Sequence, residues 1–188
     1  EQLKTRIQTS DFVQRKPGTF TLDECGQCQH IFQNPRLSLA GLDYYYSDFY
    51  DGLGEAGLEA IFGHSAEPYW TRARMVEGHI EPALWLDVGA GHGHFCCTGR
   101  DIFPNTRFDA LDLSESVDEA ARRGWADQGI RALFPEAATD MSSRYDVVSM
   151  SHYLEHTREP EDEIRAAHQA LKTDGMLLIE VPDPQCLF

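Results

Sequence analysis

The sequence has no apolar stretch long enough to cross a membrane, and no signal-peptide pattern opens it. It is also poor in basic residues: 16 Lys and Arg stand against 31 Asp and Glu, which gives a formal net charge of -15. Phosphate binding needs clustered Lys and Arg, so this balance argues against nucleic acid and against an anionic membrane surface. We therefore expect a small-molecule ligand, with no nucleic-acid and no membrane partner.

Cysteine is scarce and odd in number, with five residues in the chain. They are Cys25, Cys28, Cys96, Cys97 and Cys186. Such a set forms no regular disulfide framework, and free buried thiols are common early in a helix, where Cys96 and Cys97 are predicted. We therefore expect a protein of the reducing cytoplasm.

A Cys-x-x-Cys sequence, Cys25 to Cys28, lies between two short apolar runs. It has two readings, either half of a zinc-binding knuckle or a hairpin turn that carries two thiols. A closed zinc site needs four ligands; His30 could supply a third, and the sequence nearby offers no fourth. We therefore assign no metal site.

The chain divides into three predicted segments. An N-terminal appendage covers residues 1–45, a connecting segment covers residues 46–82, and a core domain covers residues 83–188. The aromatic cluster Asp43–Tyr50 is interpreted either as a packing patch or as a lid over a ligand pocket. A helix is predicted over Glu67–Ile80, and Pro82 leads into the first strand of the core.

Strands and helices alternate regularly through the core. The predicted strands are Leu84–Val88, Arg107–Leu113, Ile130–Phe134, Tyr145–Ser151 and Met176–Val181; the predicted helices are Gly93–Phe103, one from Ser116 to Gly124, and one from Pro160 to Gly175. This order favours parallel pairing through right-handed crossovers, so the fold class is α/β with a doubly wound, mostly parallel Rossmann-like sheet. Ligands bind such sheets where the winding reverses, at the carboxyl ends of the strands.

A glycine-dense turn follows the first of these strands, with the pattern Asp87-x-Gly89-x-Gly91-x-Gly93. Glycine in such a turn lets a ligand approach the backbone closely. Nicotinamide and flavin folds use Gly-x-Gly-x-x-Gly instead, and the third glycine of that pattern would fall on His94. The alternate spacing therefore disfavours an NAD-dependent oxidoreductase, which we keep as an alternative function.

An acidic residue, Asp112, ends the second strand, 23 residues beyond Gly89. A carboxylate at this position can accept both ribose hydroxyl protons of a nucleoside cofactor. The other interpretation is a helix-capping acid. Taken together, the glycine spacing and Asp112 resemble motif I and the second strand of class I S-adenosylmethionine-dependent methyltransferases.

The resemblance continues downstream and upstream. The end of the fourth strand, Leu154-Glu155-His156, is similar to that of small-molecule methyltransferases related to the ubiquinone-biosynthesis enzymes, and Ala170–Ile179 resembles their turn into strand five. Cys25 and Cys28, followed by Asn34-Pro35, resemble a subgroup with an N-terminal zinc-binding module, whose first cysteine pair is absent here.

This resemblance implies S-adenosylmethionine as the cofactor, a small-molecule methyl acceptor, and a set of cofactor-binding residues. The set is Asp87, Gly89, Ala90, Gly91, Gly93, Asp112, Leu113 and Ser151. By the same resemblance Asp112 would hold the ribose hydroxyls, Leu113 would pack on adenine, and backbone near Ser151 would line the methionine end.

Two histidines follow the fourth strand and are the candidate catalytic residues. A general base is needed only where the acceptor must lose a proton. For that role His156 is the preferred residue and His152 is the second candidate. The other interpretation of His156 is a structural residue that orients the loop.

The sheet of this family has two further strands after the fifth. We expect them to be missing from the core here, which predicts weak turnover and leaves strand five as an apolar edge able to pair in a homo-oligomer. A third candidate function is therefore a non-catalytic cofactor-binding or interaction module on the same scaffold.

Overall fold

The structure, a computed structural model, describes residues 2–12, 15–46 and 66–183. The chain divides into two compact units, Glu1–Ile61 with Pro184–Phe188, and Phe62–Asp183. Part of the predicted aromatic cluster, residues 47–50, lies outside the described residues. In that part of the chain which is described, no helix is both long and apolar enough to span a bilayer.

The first unit contains a three-stranded antiparallel sheet and one helix. The strands are β1 (Leu3–Thr9), β2 (Phe20–Cys25) and β3 (Ile31–Gln33), in that order across the sheet, and the helix is α1 (Leu39–Tyr46). The Cys-x-x-Cys sequence forms the turn between β2 and β3, as its hairpin interpretation predicts. Strand β1 was not predicted, because its residues are mostly exposed and lack an apolar period.

The second unit is a five-stranded parallel sheet with helices on both faces. Its elements are α2 (Glu67–Arg74), β4 (Leu84–Val88), α3 (His94–Ile102), β5 (Arg107–Asp112), α4 (Ser116–Arg122), β6 (Gln128–Arg131), α5 (Phe134–Ala137), a 3-10 turn (Ala138–Met141), β7 (Tyr145–Ser151), a second 3-10 turn (Leu154–His156), α6 (Pro160–Ala170) and β8 (Leu171–Glu180). The strand order is β6-β5-β4-β7-β8. The chain winds outward from β4 in one direction and then in the other, which confirms the predicted doubly wound α/β fold.

Successive side chains of the central strands enter opposite cores, because a strand points alternate residues to opposite faces. Trp85 on β4 packs with Phe95 of α3 and Phe108 of β5, at ring-centroid distances of 5.4 and 5.5 Å. Leu86, the next residue, belongs to the core under α6, together with Ala167. Both faces are therefore closed, which leaves the carboxyl ends of the strands as the place for a ligand.

Three boundaries differ from the predicted ones. The predicted helix Glu67–Ile80 ends at Arg74, and turns follow through Gly78, which has φ +78°. Strand β6 lies two residues earlier than predicted and ends at Arg131, because Phe134 begins α5 as a fully buried core residue. The predicted strand Ile130–Phe134 has only five residues and includes Arg131, and so short a run does not decide between these two assignments.

The last helix also ends early, at Ala170 instead of Gly175, and β8 begins at once with Leu171. Pairing with β7 is interrupted between Tyr145 and Val147, where Leu171 and then Met176 are the partners, so residues 172–175 bulge out of the ladder. The buried stripe of α6 is Glu163, Ala166, Ala167 and Ala170. The sequence pattern predicts a buried stripe of Ile164, Ala167, His168 and Leu171; Ala167 is buried and Leu171 packs half-buried against the core, whereas Ile164 and His168 are exposed.

The helix that follows β5 starts as predicted at Ser116, but it lacks the capping box that the pair Ser116 and Glu119 predicts from the sequence. Glu115 occupies the N-cap position and its side chain makes no capping hydrogen bond, while Glu119 forms ion pairs with Arg122 and Arg123. The predicted C-terminal cap is confirmed, since Gly124 has φ +73° and closes the helix with Trp125 through bonds to Ala121 and Ala120.

Candidate functional site

The glycine turn after β4 is left-handed at all three glycines. Gly89, Gly91 and Gly93 have φ values of +74°, +52° and +77°, a region that side chains other than glycine rarely adopt. A Cβ at Gly89 would lie 2.6 Å from the Tyr153 ring, and one at Gly93 would lie 2.6 Å from Ala120 Cβ. These two glycines are therefore needed because the loop after β7 and helix α4 pack directly against the turn.

Gly91 is different, because an added Cβ would meet no atom of residues 2–12, 15–46 and 66–183 within 4 Å, its chain neighbours aside. Its N–H donates to Asp112 Oδ2 at 2.9 Å. The neighbouring Gly89 and Ala90 N–H groups both donate to the Leu111 carbonyl, at 2.8 and 3.1 Å. The turn is thus hydrogen-bonded to the end of β5, while none of the described residues covers it on the Cβ side of Gly91. We call this part of the turn the Gly91 cradle, because a ligand can approach its backbone closely.

Asp112 bridges the ends of β4 and β5. Besides the bond from Gly91, its Oδ1 accepts from the Ser114 N–H at 2.8 Å. The capping interpretation fails for α4, because Glu115 and not Asp112 is the N-cap residue. Each carboxylate oxygen has a second lone pair, so a half-buried Asp112 can still accept hydrogen bonds from a ligand.

Asp87 is buried, with 4% of its surface exposed. The Ser149 hydroxyl donates to its Oδ1 at 2.6 Å, and the Trp85 indole N–H donates to the same hydroxyl at 2.9 Å. Burial raises the pKa of Asp87 to about 7, while the Ser149 bond and the Arg72 charge oppose that rise. Asp87 therefore joins β4 to β7 below the turn, and it does not line the open side.

Two exposed apolar side chains flank the ends of β5 and β6. The predicted residue Leu113 is 60% exposed, and Leu133, which sequence reasoning missed, is 45% exposed. The loops that carry them are tied together, since Ala132 N–H donates to the Asp112 carbonyl at 3.3 Å. Exposed leucines that follow two neighbouring parallel strands offer an apolar surface beside Asp112.

On the other side of β4, the chain leaves β7 at Ser151. Its hydroxyl oxygen is buried and has no hydrogen-bond partner among residues 2–12, 15–46 and 66–183. Buried hydroxyls are normally satisfied, so this one marks a place where a ligand atom or water completes the bonding. Ser151 and Asp112 thus lie at the two ends of an edge that crosses β5, β4 and β7.

His152 follows directly, in a left-handed conformation with φ +51°. Its Nδ1 lies 3.3 Å from Glu155 Oε1 and its Nε2 lies 3.3 Å from Glu180 Oε1. Both ring nitrogens therefore face carboxylate oxygens, so a neutral imidazole here directs its lone pair toward a carboxylate. To act as a general base on a ligand, His152 must first leave one of these partners.

His156, the preferred base, belongs to the second 3-10 turn and is 56% exposed. Its Nε2 lies 3.9 Å from Glu155 Oε1, and its N–H donates to the Tyr153 carbonyl at 3.0 Å. Tyr153 in turn donates to the buried Glu163 of α6 at 3.0 Å. The structure brings both histidines to the carboxyl end of β7, with His152 in the more crowded environment.

Arg72 of α2 is a further site residue that the sequence pattern did not reveal. It forms a two-point ion pair with Glu180, in which Nη2 donates to Oε1 at 3.0 Å and Nε donates to Oε2. The pair lowers the pKa of Glu180, and Arg72 also lies close enough to oppose the raised pKa of Asp87. Helix α2 and the end of β8 are thereby joined at the same edge as Ser151 and His152.

Both residues of the Cys-x-x-Cys sequence, Cys25 and Cys28, lie in the first unit. Cys25 is half-buried, Cys28 is exposed, and neither is in a disulfide. His30 stacks on Phe32 with ring centroids 5.8 Å apart. Within the described ranges, no three His, Cys, Asp or Glu side chains are placed to hold a metal ion.

A profile described as "Methyltransferase domain" matches residues 64–187, about two thirds of the chain. The chain is 30% identical over 117 residues to a malonyl-[acyl-carrier protein] O-methyltransferase of Laribacter hongkongensis, covering 56% of this chain and 39% of that protein. It is 27% identical over 113 residues to a ubiquinone biosynthesis O-methyltransferase of Azotobacter vinelandii, covering 56% and 48%. The chain therefore spans less than half the length of these two relatives.

One similar solved structure is that of a 1,6-didemethyltoxoflavin-N1-methyltransferase from Burkholderia thailandensis with bound S-adenosylhomocysteine. Its TM-score is 0.59 at 20% identity, and the match covers 85% of this chain and 68% of that one. At this identity the likeness shows a shared fold. The profile match does not include Cys25 and Cys28, so the zinc-module subgroup stays a prediction.

These matches confirm the resemblance that the glycine spacing, Asp112 and the end of β7 predicted, and none of them supports the oxidoreductase alternative. The chain belongs to the methyltransferase domain family.

Proposed function

We propose that this chain binds S-adenosylmethionine and serves as the catalytic domain for methyl transfer to a small-molecule acceptor. The observation that carries the proposal is the Gly91 cradle, which is open to a ligand and bonded to Asp112. An alternate-glycine turn that meets a strand-end carboxylate suits a nucleoside with an amino-acid extension. When bound, S-adenosylmethionine supplies a methyl group on a sulfonium.

The residues present fit this cofactor from one end to the other. Asp112 would accept hydrogen bonds from the ribose hydroxyls, Leu113 and Leu133 would cover the adenine ring, and the backbone of Gly91 would follow the ribose and amino-acid portion. The buried, unpartnered hydroxyl of Ser151 would bond at the methionine end. Each role uses a group that still has bonding capacity or exposed apolar surface.

The remaining residues of the predicted set act indirectly. Gly89 and Gly93 keep the turn in contact with Tyr153 and Ala120, and Ala90 fixes the turn to β5 through the Leu111 carbonyl. Asp87 would orient the turn through the backbone of β4, since its side chain bonds to Ser149. Methyl transfer needs mainly alignment of the reacting atoms, and a rigid turn supports that alignment.

His156 is the proposed general base where an acceptor must lose a proton, with His152 as the second candidate. The geometry at His152 supports this order, because each of its ring nitrogens lies 3.3 Å from a carboxylate oxygen. Charged neighbours of this kind hold a ring in place more readily than they free it for proton transfer.

The wider setting is also part of the proposal. Cys25, Cys28, Cys96 and Cys97 are not in disulfides, which fits a reducing cytoplasm. Among the described residues β8 is the outermost strand on its side of the sheet, and Ile179 is 36% exposed, so self-association would use this edge. We keep the three predicted segments, 1–45, 46–82 and 83–188, as the proposed domain scheme.

The test of the proposed activity is transfer of a labelled methyl group. The purified chain is incubated with methyl-labelled S-adenosylmethionine and a fractionated metabolite mixture, and products are identified by mass. Labelled small-molecule products that vanish in Asp112→Asn, and persist in Asp118→Asn on the exposed face of α4, support the proposal. Cofactor binding with no transfer to any fraction would favour a non-catalytic binding module.

A further inference from the structure

A cavity of about 480 Å³ opens between helix α2 and the end of strand β8. Its lining comes from Glu67, Pro68, Thr71, Arg72 and Met75 on the α2 side, and from Ile179 and Glu180 on β8. Small-molecule pockets in proteins commonly have volumes of roughly 300 to 1,000 Å³. The cavity is therefore large enough for a metabolite of modest size.

The cavity lies on the side of the sheet that the proposed cofactor site leaves free. The cofactor residues follow the ends of β5, β4 and β7, whereas this cavity borders β8, two strands from β4. Strands are about 4.8 Å apart, so β8 lies on the order of 10 Å from β4, the strand that leads into the glycine turn. His152 links the two regions, because it follows Ser151 and contacts Glu180.

Part of the exposed lining is apolar. Met75 is 59% exposed and Ile179 is 36% exposed, and Pro68 adds a third apolar surface. Apolar side chains that border a cavity at the ligand-binding end of a parallel sheet favour a ligand with an apolar body. A methionine beside the cavity also adapts readily to aliphatic or aromatic shapes.

The charges at the cavity have one predominant sign. Glu67 and Glu180 line it and Glu155 lies beyond His152, against the single guanidinium of Arg72. Arg72 is already engaged with Glu180 through two hydrogen bonds. An anionic ligand would thus lie close to carboxylates, and among these lining residues the one cation, Arg72, is already paired. Repulsion in a partly desolvated site would therefore lower the affinity for such a ligand.

We propose that this cavity is the methyl-acceptor site and that it selects neutral acceptors with an apolar body, excluding anionic ones through Glu180. The inference rests on the proposed function, because it places the acceptor beside the cofactor residues. Glu180 acts as a specificity-determining residue: it supplies negative charge to the cavity wall and commits Arg72 to an internal pair.

The probes are a series of neutral 4-alkylphenols and the matched series in which the alkyl chain ends in a carboxylate. Binding to the intact chain is measured by ligand-observed NMR, with and without S-adenosylhomocysteine. The neutral probes should bind in the millimolar range or better, and their carboxylates at least about tenfold more weakly.

Two variant pairs locate the site and the source of selectivity. Ile179→Asp should weaken binding of the neutral probes by at least about tenfold, because it places a charge in the apolar lining. Ile164→Asp is its matched control, since Ile164 is 42% exposed on α6, outside the cavity lining, and should bind as the unmodified chain does. Glu180→Gln should improve carboxylate binding about fivefold, whereas Glu161→Gln on the exposed face of α6 should not.

The proposal is overturned if no neutral probe binds, if Ile179→Asp leaves binding unchanged, or if the carboxylates bind as tightly as the phenols. Binding of S-adenosylhomocysteine in the same samples separates this failure from failure of the proposed function. A chain that binds S-adenosylhomocysteine but no phenol keeps its cofactor site and loses this acceptor site. A chain that binds the phenols at Ile179 but not S-adenosylhomocysteine contradicts the proposed function and the acceptor role together.

Discussion

The three glycines of the turn after β4 are glycine for two different reasons. At Gly89 and Gly93 a side chain would collide with Tyr153 or Ala120, so packing forbids it. At Gly91 no described residue beyond the chain neighbours would lie within 4 Å of a Cβ, and among these residues the left-handed backbone alone disfavours a side chain. Space beside a backbone that carries no packing neighbour is what a ligand-binding cradle needs.

A pair of alanine substitutions distinguishes the loss of stability caused by a strained backbone from the loss of affinity caused by a side chain in the ligand's place. Gly91 has φ +52° and Gly124 has φ +73°, and both are open on the Cβ side. Each Gly→Ala change should therefore lower the free energy of unfolding by about 1–2 kcal/mol in urea titrations. Only Gly91→Ala should also weaken S-adenosylhomocysteine binding, by at least about tenfold in calorimetry. Equal binding by the two variants would contradict the cradle.

Asp87 gives the protein a pH dependence with a defined sign. Burial raises its pKa from 3.8 to about 7 in the folded chain. Between these values the folded chain holds the proton more tightly than the unfolded chain, so stability falls as pH rises. The stabilising contribution is complete below the ordinary pKa of 3.8 and is lost as pH rises through about 7.

Replacing Asp87 with Asn should flatten this dependence. The amide keeps a partner for Ser149 but cannot ionise, so the unmodified chain should lose up to about 1.4 kcal/mol of unfolding free energy per pH unit relative to Asp87→Asn. Urea unfolding from about pH 5 to pH 8 measures both chains. Asp109 and Glu163 also have raised pKa values, but they lie in separate hydrogen-bond networks. Their contributions are the same in both chains and cancel when the two stability curves are subtracted. Parallel stability curves would contradict the raised pKa.

At the scale of elements, α3 lies unusually close to β5 at one point. A Cβ at Gly99 would come within 2.9 Å of two atoms of the Phe108 ring. That ring also packs on Trp85 and Phe95, so it has little room to shift. The close approach places the N-terminus of α3, and with it Gly93, against the end of the sheet.

Gly99→Ala should therefore destabilise the protein even though alanine favours helix. Helix propensity alone predicts a gain of about 1 kcal/mol, but the overpacked ring should cost about 1–3 kcal/mol and leave a net loss. Cys97→Ala, two residues earlier on the same helix, should change stability by no more than about 0.5 kcal/mol. Thermal unfolding of the two variants decides, and a more stable Gly99→Ala would show that α3 does not pack this closely.

Elements with a clear period or a strong boundary residue could be predicted from the sequence. Strands β4 and β7 match their predicted bounds, and Pro160 begins α6. The end of α6 could not be predicted, because Gly175 looks like a helix stop but lies in a bulge of β8. Leu171 fits a helix stripe equally well, and only pairing with Tyr145 makes it part of a strand.

In the candidate site, too, some features could be predicted from the sequence and others could not. The glycine turn and Asp112 are adjacent in space because both end neighbouring parallel strands, which the alternation alone predicts. Arg72 and Glu180 lie 108 residues apart and meet only after α2 packs at the end of β8. No local pattern marks such a pair. Leu133 was assigned to a strand, so its exposure beside Leu113 could not be predicted.

At the scale of the whole molecule, strand order turns these local features into one surface. The order β6-β5-β4-β7-β8 places Leu133, Asp112, Gly91, Ser151 and Glu180 in sequence along one edge of the sheet. An extended nucleoside cofactor needs, in this order, an apolar surface, a carboxylate, accessible backbone and a polar group at its far end. Leu133, Asp112, Gly91 and Ser151 offer these groups in the same order, and the Ser151 hydroxyl has no partner among the described residues. The cavity beside Glu180 continues the same edge.

The most direct test of this account is calorimetric titration of the purified chain with S-adenosylhomocysteine and, separately, with NADH. S-adenosylhomocysteine should bind at one site, and Asp112→Asn should weaken it at least about tenfold, because the ribose hydroxyls lose their charged acceptor. Asp118→Asn, on the exposed face of α4, should bind as the unmodified chain does. Binding of NADH alone, or S-adenosylhomocysteine binding that ignores Asp112, would contradict the account.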